Sequence, residues 1–377
     1  MTGTSYMAGE IASQPKLWME TYESVLQQKQ LITDFLSGIY SIANLQVVLS
    51  GAGSSAFIGE IVQNAFARNT GIPVKSIPTT DIVTHPRDNF QRAIPTLLVS
   101  FARSGDSPES IAAFEIAERS IDHIYHLVIT CNPQGSLAKI ASGKKNSFVF
   151  LLPQGTNDQA LAMTSSFTCM ALAGLLMSDI AQIQANEGVV KKLSRLGQIL
   201  LDSYAIGLSE VADLDFKRIV FLGSGPLKGT AKESHLKVIE LTDGQVMCQY
   251  DSFLGFRHGP KAVIDESTLL VYLFSNDPYV YNYEIDLVNS INQTENVIYS
   301  IGIGQPGEQA KNLHLDLNIE LGLEDDAISD DFFAICGVIP AQVLGFYKSL
   351  SLGLTPDSPS KNGGIHRVVQ GVNIYPY

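Results

Sequence analysis

Short apolar runs bounded by glycine and serine alternate along this chain with longer stretches of helical spacing. In the first half the runs are LQVVLS (45–50), IPTLLVSFA (94–102), YHLVIT (125–130) and SFVFLLP (147–153). Near-continuous apolar runs of this length predict strands buried on both faces of a parallel sheet. Apolar residues recur at helical spacing in 16–40, AFIGEIVQNAFAR, PESIAAFEIAERS and the stretches at about 165–184 and 188–208. The second half repeats the rhythm. FKRIVFLGSG (216–225), TLLVYLFS (268–275) and NVIYSIGI (296–303) read as strands, and PLKGTAKESHLKVIELT and IPAQVLGFYKSLSLGL (339–354) as helices. Such alternation predicts an α/β protein built of βαβ units. Both halves open as strand, Gly/Ser loop, helix, which predicts a domain-scale duplication with a boundary near 205–215. The expected segments are a helical 1–40, a first domain 41–205, a second domain 206–352 and a tail 353–377.

Charge and composition narrow the partners. The 377 residues carry a net charge of -13, which argues against nucleic acid as a partner, because phosphate backbones need a basic surface. A small phosphorylated ligand stays allowed, because backbone N–H groups and hydroxyls can hold it. No run of 18 apolar residues occurs, so no membrane span is expected. The N-terminal MTGTSYMAGEIASQPKLW lacks the pattern of a secretory signal, and the cytoplasm is the expected location. Cys131, Cys169, Cys248 and Cys336 lie far apart without a CxxC, so neither a zinc site nor a disulfide framework is expected.

Three Ser/Gly loops follow predicted strands: GAGSS (51–55), RSGDS (103–107) and GSG (223–225). In a parallel sheet ligands gather at the carboxyl ends of strands, where the next helix presents unpaired N–H groups. Ser54, Ser55, Ser104 and Ser107 suit phosphate oxygens, against the plainer possibility that they cap helices. Two such loops after consecutive strands favour a shared anion site. The glycines of GAGSSAFIG do not complete a GxGxxG pattern and no GxxxxGK[ST] occurs, so nucleotide folds are poorly supported.

With these loops the chain resembles the sugar isomerase (SIS) superfamily. It is similar to the isomerase half of glucosamine-6-phosphate synthase, and more so to the AgaS group of galactosamine-6-phosphate deaminase/isomerases, also described as tagatose-6-phosphate ketose/aldose isomerases. GEIASQP (9–15), SGAGSS (50–55), ARSGDSPES (102–110), MTSSF (163–167), FLGSG (221–225) and RHGP (257–260) carry the resemblance in order along the chain. It implies two tandem SIS domains, each a parallel sheet flanked by helices in a flavodoxin-like three-layer αβα arrangement. It implies phosphate binding at Ser54, Ser55, Ser104 and Ser107. Arg103 stands where the family has a glutamine and adds a cation suited to phosphate.

Moving a proton between adjacent sugar carbons needs a base at carbon and a group that opens the ring. The resemblance places Glu240 in register as the base. Its gap to His258, 258 − 240 = 18, is slightly longer than in the synthases. Glu233 shares the helix face and is the other candidate. His258 of RHGP matches the family's ring-opening histidine, supplied across a dimer interface, with His235 as runner-up. A C-terminal lysine of the family matches Lys361, although spacing also admits Arg367, which cannot form a Schiff base. The glutaminase domain of the synthases has no counterpart before residue 9, so deamination is the expected direction. The expected reaction takes a 2-amino-2-deoxyhexose 6-phosphate, foremost D-galactosamine 6-phosphate, to tagatose 6-phosphate and ammonia, and counts as both hydrolase and isomerase. It needs no metal and no cofactor. The expected assembly is a homodimer with shared active sites. Alternatives are hexose-6-phosphate isomerisation without deamination, a glucosamine-6-phosphate or fructosamine-phosphate deaminase, and a non-catalytic sugar-phosphate sensor.

Overall fold

The computed structural model describes residues 5–304, 313–321, 327–369 and 371–377. The chain divides into two compact units that interleave in sequence. One comprises Met1–Pro15, Ala160–Ala162 and Lys191–Gly364, the other Lys16–Gln159, Met163–Val190 and Ile365–Tyr377. The linear segments ending at 40, 205 and 352 stay our proposed division by chain order.

The second of these units is built on β1 (Gln46–Ser50), β2 (Val74–Ser76), β3 (Thr96–Ala102), β4 (Ile124–Thr130) and β5 (Ser147–Leu151). All pairings are parallel, in the order β2-β1-β3-β4-β5. Every residue of β3 is buried, which is why its sequence is apolar throughout rather than alternating. On one face Val48 and Leu98 pack against Ile82, Ala113, Ile116 and Ala117. The helix Ser165–Ser178 is buried on all sides and reads apolar all round for that reason. Fully burying one such Leu, Ile or Phe side chain stabilises the fold by roughly 1.5–3 kcal/mol.

The other unit carries β6 (Arg218–Gly223), β7 (Met247–Asp251), β8 (Thr268–Leu273), β9 (Tyr299–Gly304) and β10 (Leu317–Glu320). Their order is β10-β9-β8-β6-β7, again all parallel. Counted from the opposite edge, this is the order of the first sheet, so the halves share one flavodoxin-like topology. The duplication extends to backbone detail. Gly53 and Gly225 precede the helix that follows the first strand of each half with φ/ψ of 58/-130 and 55/-128, a conformation only glycine adopts readily. A side chain on Gly51 would lie 2.5 Å from the Ser55 carbonyl carbon, and one on Gly223 2.4 Å from the Leu227 oxygen.

Two features depart from the sequence reading. The leading helix starts at Tyr6, not near residue 16, and runs to Gln27 with Pro15 inside it. Asp357 supplies its start, accepting from Ser5 Oγ at 2.7 Å, Tyr6 N at 3.0 Å and Met7 N at 2.9 Å. The apolar segment Asp330–Ser351 has the length and hydropathy of a membrane span, but 89% of its apolar 18-residue stretch is buried inside the protein, within the helices Asp330–Cys336 and Ile339–Ser351.

Candidate active site

In the first sheet the order reverses between β1 and β3, and the loops leaving these two strands flank that switch point. This is where open α/β sheets bind ligands. Gly53 takes the N-cap position, so Ser54 and Ser55 fall in the first helical turn, both buried. Ser55 Oγ lies 3.7 Å from Met163 Sδ. After β3 come Arg103 and Ser104, both buried, and Gly105 with φ +70. Ser107 is the N-cap of the helix Pro108–Ser120, yet its side chain caps nothing. Capping of that helix therefore does not account for the Ser107 hydroxyl, while Ser104 Oγ accepts from Asp106 N at 3.2 Å. The backbone of the second loop is held from outside: Asn132 Nδ2 donates to the Ser104 carbonyl at 2.8 Å, and Leu137 N to the Gly105 carbonyl at 2.9 Å.

A further network of the same unit was not legible in the sequence. Asp158 is buried and accepts from Thr164 N at 2.8 Å and Ser166 N at 2.9 Å, and from the hydroxyls of Thr164, Ser165 and Ser166. It thereby satisfies amides at the start of the helix Ser165–Ser178, where a carboxylate also meets the positive end of the helix dipole. Arg367 Nε donates to the Asp158 carbonyl at 2.7 Å, and its Nη2 to Asn157 Oδ1 at 2.8 Å. Only the MTSSF text hinted at this cluster; its carboxylate lies outside that motif.

In the other unit the helix Pro226–Leu241 carries the candidate base. Glu233 and Lys237 are fully buried, and the Glu240 side chain is 22% exposed. Lys237 Nζ lies 3.2 Å from Glu233 Oε1 and donates to Glu240 Oε2 at 2.7 Å. Burial pushes this ammonium's pKa down, but the two carboxylates outweigh it and hold the pKa above the usual lysine value. Lys237 is the residue that sequence reasoning missed: it sits three positions before Glu240, and its burial between two acids shows only in the fold. The helix ends in a turn with Asp243 and Gly244 at positive φ. Asp243 Oδ2 accepts from the Lys361 backbone at 3.3 Å, which ties the Lys361 segment just beyond Glu240.

The two histidines separate. His235 is partly buried, donates from Nδ1 to the Lys232 carbonyl, and tilts against Tyr250 with ring centroids 4.8 Å apart. Burial lowers its pKa. His258 is exposed, and Gly259 beside it has φ +125. Among the described residues its ring makes no hydrogen bond, and none joins it to Glu240 or Lys361.

The second switch point, between β6 and β8, differs from the first. Glu284 Oε2 accepts from Ser275 N at 2.9 Å and bonds Ser224. Asp330 accepts from Ser275 Oγ and from Asn276 N at 2.8 Å. The chain's own carboxylates thus occupy the loop donors there, whereas among the described residues no carboxylate accepts from the N–H groups of Ser104–Ser107, and Asp106 instead accepts from Ser136 N at 2.9 Å. Burial pushes the Glu284 carboxyl up to about 7 from an ordinary 4.5. The folded protein then holds a proton that the unfolded chain has released. The contribution is full below pH 4.5 and is lost as pH rises to about 7. Denaturant unfolding at about pH 5 and about pH 8 should show this decline in the native protein and a flatter profile in Glu284→Gln.

Comparison with known proteins gives four findings. Residues 39–178 match the SIS domain family. The chain is 38% identical to D-galactosamine-6-phosphate deaminase AgaS of Shewanella sp. strain ANA-3, over 100% of this chain and 93% of that protein. It is 37% identical to the crystal structure of tagatose-6-phosphate ketose/aldose isomerase from Escherichia coli, with TM-score 0.90 over 99% of this chain and 97% of that one. The C-terminal domain of glucosamine-fructose-6-phosphate aminotransferase from Francisella tularensis shares the fold, with TM-score 0.81 at 18% identity over 94% of this chain and 98% of that one. These names are those of a deaminase, an isomerase and an aminotransferase. The hydrolase class expected from the sequence is corrected accordingly, since addition of water to an imine is one step of a deaminating isomerisation.

Proposed function

The chain belongs to the AgaS family of SIS-domain proteins, and from that premise we propose that it is an amino-sugar-phosphate deaminase/isomerase. Its substrate is D-galactosamine 6-phosphate and its products are tagatose 6-phosphate and ammonia. The observation that carries this reading is the pair of serine loops at the first switch point, both at helix starts, with buried Arg103 beside Ser104.

The loops Ser54–Ser55 and Arg103–Ser107 hold the 6-phosphate by N–H groups, hydroxyls and one guanidinium. His258 shuttles a proton on the ring oxygen and opens the sugar; histidine suits this because its ordinary pKa lies near neutrality. Glu240 takes the C2 proton, giving the enolamine, and returns it to C1. The C2 imine that results takes up one water and releases ammonia, leaving the C2 ketone. Lys361 acts on the open chain. Arg367 is the weaker candidate for that slot, because its guanidinium is already bonded to Asp158 and Asn157. The exposed His258 supports an assembly in which it serves the Glu240 of a second copy, hence a homodimer with shared sites. We place the enzyme in the cytoplasm, because a charged sugar phosphate does not cross a membrane unaided.

Purified protein incubated with galactosamine 6-phosphate, glucosamine 6-phosphate and unphosphorylated galactosamine tests the reading. Ammonia and ketose phosphate are expected foremost from the first and not from the last. Equal release from unphosphorylated galactosamine would remove the phosphate site. The name of the Escherichia coli structure favours one second reading, isomerisation of tagatose 6-phosphate without ammonia, and the same assay separates the two.

A further inference from the structure

The C-terminal segment meets the phosphate-side loops through Arg367, which is held on two sides. Its side chain is bonded to the Asp158 carbonyl and to Asn157 Oδ1, and its own carbonyl accepts from Arg103 Nη2 at 2.7 Å. Asp158 is in turn immobilised by the Thr164–Ser166 donors. The chain of contacts therefore runs from a rigid helix start through Arg367 to the guanidinium that adjoins Ser104. Arg103 is only 7% exposed, so its guanidinium has exchanged water for fixed partners. The buried thiol of Cys131, pushed up to about 12 chiefly by burial, feels Asp158, Arg103 and Arg367 together, which places the three groups in one neighbourhood.

We infer that Arg367 is a positioning residue: it seats the Arg103 guanidinium at the phosphate end of the site and takes no part at the reacting carbons. This rests on the phosphate reading of the two serine loops. A planar guanidinium recognises phosphate through direction as well as charge, so its orientation matters. Fixing a long side chain in advance removes the cost of ordering it when the anion binds. The sequence left Arg367 as a rival to Lys361 for the catalytic slot; the clamp gives it a different task.

The test compares Arg367→Ala, Asn157→Ala, Arg103→Ala and the Arg367→Ala/Arg103→Ala pair with the native protein. The readouts are inorganic phosphate affinity by calorimetry, KM and kcat for galactosamine 6-phosphate, and thermal stability. Arg367→Ala should weaken phosphate and raise KM by roughly tenfold, the worth of one charge-assisted hydrogen bond, with kcat falling far less. Asn157→Ala, which removes one anchor only, should show a smaller shift in the same direction and serves if Arg367→Ala does not fold. In the Arg103→Ala background, loss of Arg367 should weaken phosphate no further. Independent, additive effects of the two arginines would overturn the inference, as would a fall in kcat at unchanged phosphate affinity. Phosphate affinity is measured without turnover. A native protein that binds phosphate but releases no ammonia would thus refute the proposed substrate and leave the clamp standing. One that binds no phosphate would refute both.

Discussion

Replacing Glu240 by glutamine is expected to lower kcat by about 10²–10⁴-fold, the usual worth of a positioned general base. Phosphate affinity should change little, because the serine loops are untouched. Glutamine keeps an oxygen that can accept from Lys237 Nζ, now 2.7 Å from Glu240 Oε2, so the helix Pro226–Leu241 should retain its packing. Of the two acids bonded to Lys237, Glu240 is the one with solvent access, and Glu233 is sealed. A base must reach its proton within hydrogen-bond distance, which favours the accessible carboxylate. Full turnover in Glu240→Gln would move the base elsewhere, with Glu233 the first residue to examine.

The largest loss of stability is expected from Lys237→Met. Removing one member of a buried ion pair typically costs about 3–5 kcal/mol, because the remaining charge keeps its desolvation penalty without its partner. Here the ammonium is fully buried, lies 3.2 Å from the fully buried Glu233, and also holds Glu240. The measurement is denaturant unfolding of Lys237→Met beside Glu233→Gln/Lys237→Met. The double variant should regain a large part of the loss, since it removes the stranded carboxylate along with the lysine. If the single and double variants were equally unstable, packing of the lysine stem rather than charge would set the cost. If neither were destabilised, the buried pair would have no structural weight.

The sheets were legible wherever strands are buried on both faces. LQVVLS, IPTLLVSFA, YHLVIT, FKRIVFLGSG, TLLVYLFS and NVIYSIGI all contain strands, because burial on both faces writes a continuous apolar run. β2, β7 and β10 escaped, and each lies at a sheet edge. Their residues are mostly half-buried or exposed, so no apolar run marks them. β5 is also an edge strand and mostly half-buried, and it was legible only through its apolar run SFVFLLP. The start of the leading helix escaped because Asp357, hundreds of positions away in the chain, provides its first bonds. Local pattern carries no trace of such a partner.

At the candidate site the loops were legible because Gly and Ser recur where the strands β1 and β3 turn into helices. The supporting residues were not. Lys237, Asp158 and Arg367 are ordinary charged residues in sequence, and only burial and contact give them roles. The closed second switch point was equally hidden: GSG reads like a ligand loop, but Glu284 and Asp330, from distant positions, fill the adjoining donors. A duplicated chain can therefore keep one strand order twice while its own carboxylates fill the loop donors of the second half.

The proton-transfer account makes a stoichiometric claim, and the most direct measurement is the yield of ammonia per tagatose 6-phosphate formed from galactosamine 6-phosphate, followed in deuterated water. The account predicts equal yields, with solvent deuterium entering at C1 as the C2 proton is moved by an exchangeable base. Conversion of tagatose 6-phosphate to an aldose phosphate with no ammonia from any amino sugar phosphate would contradict it.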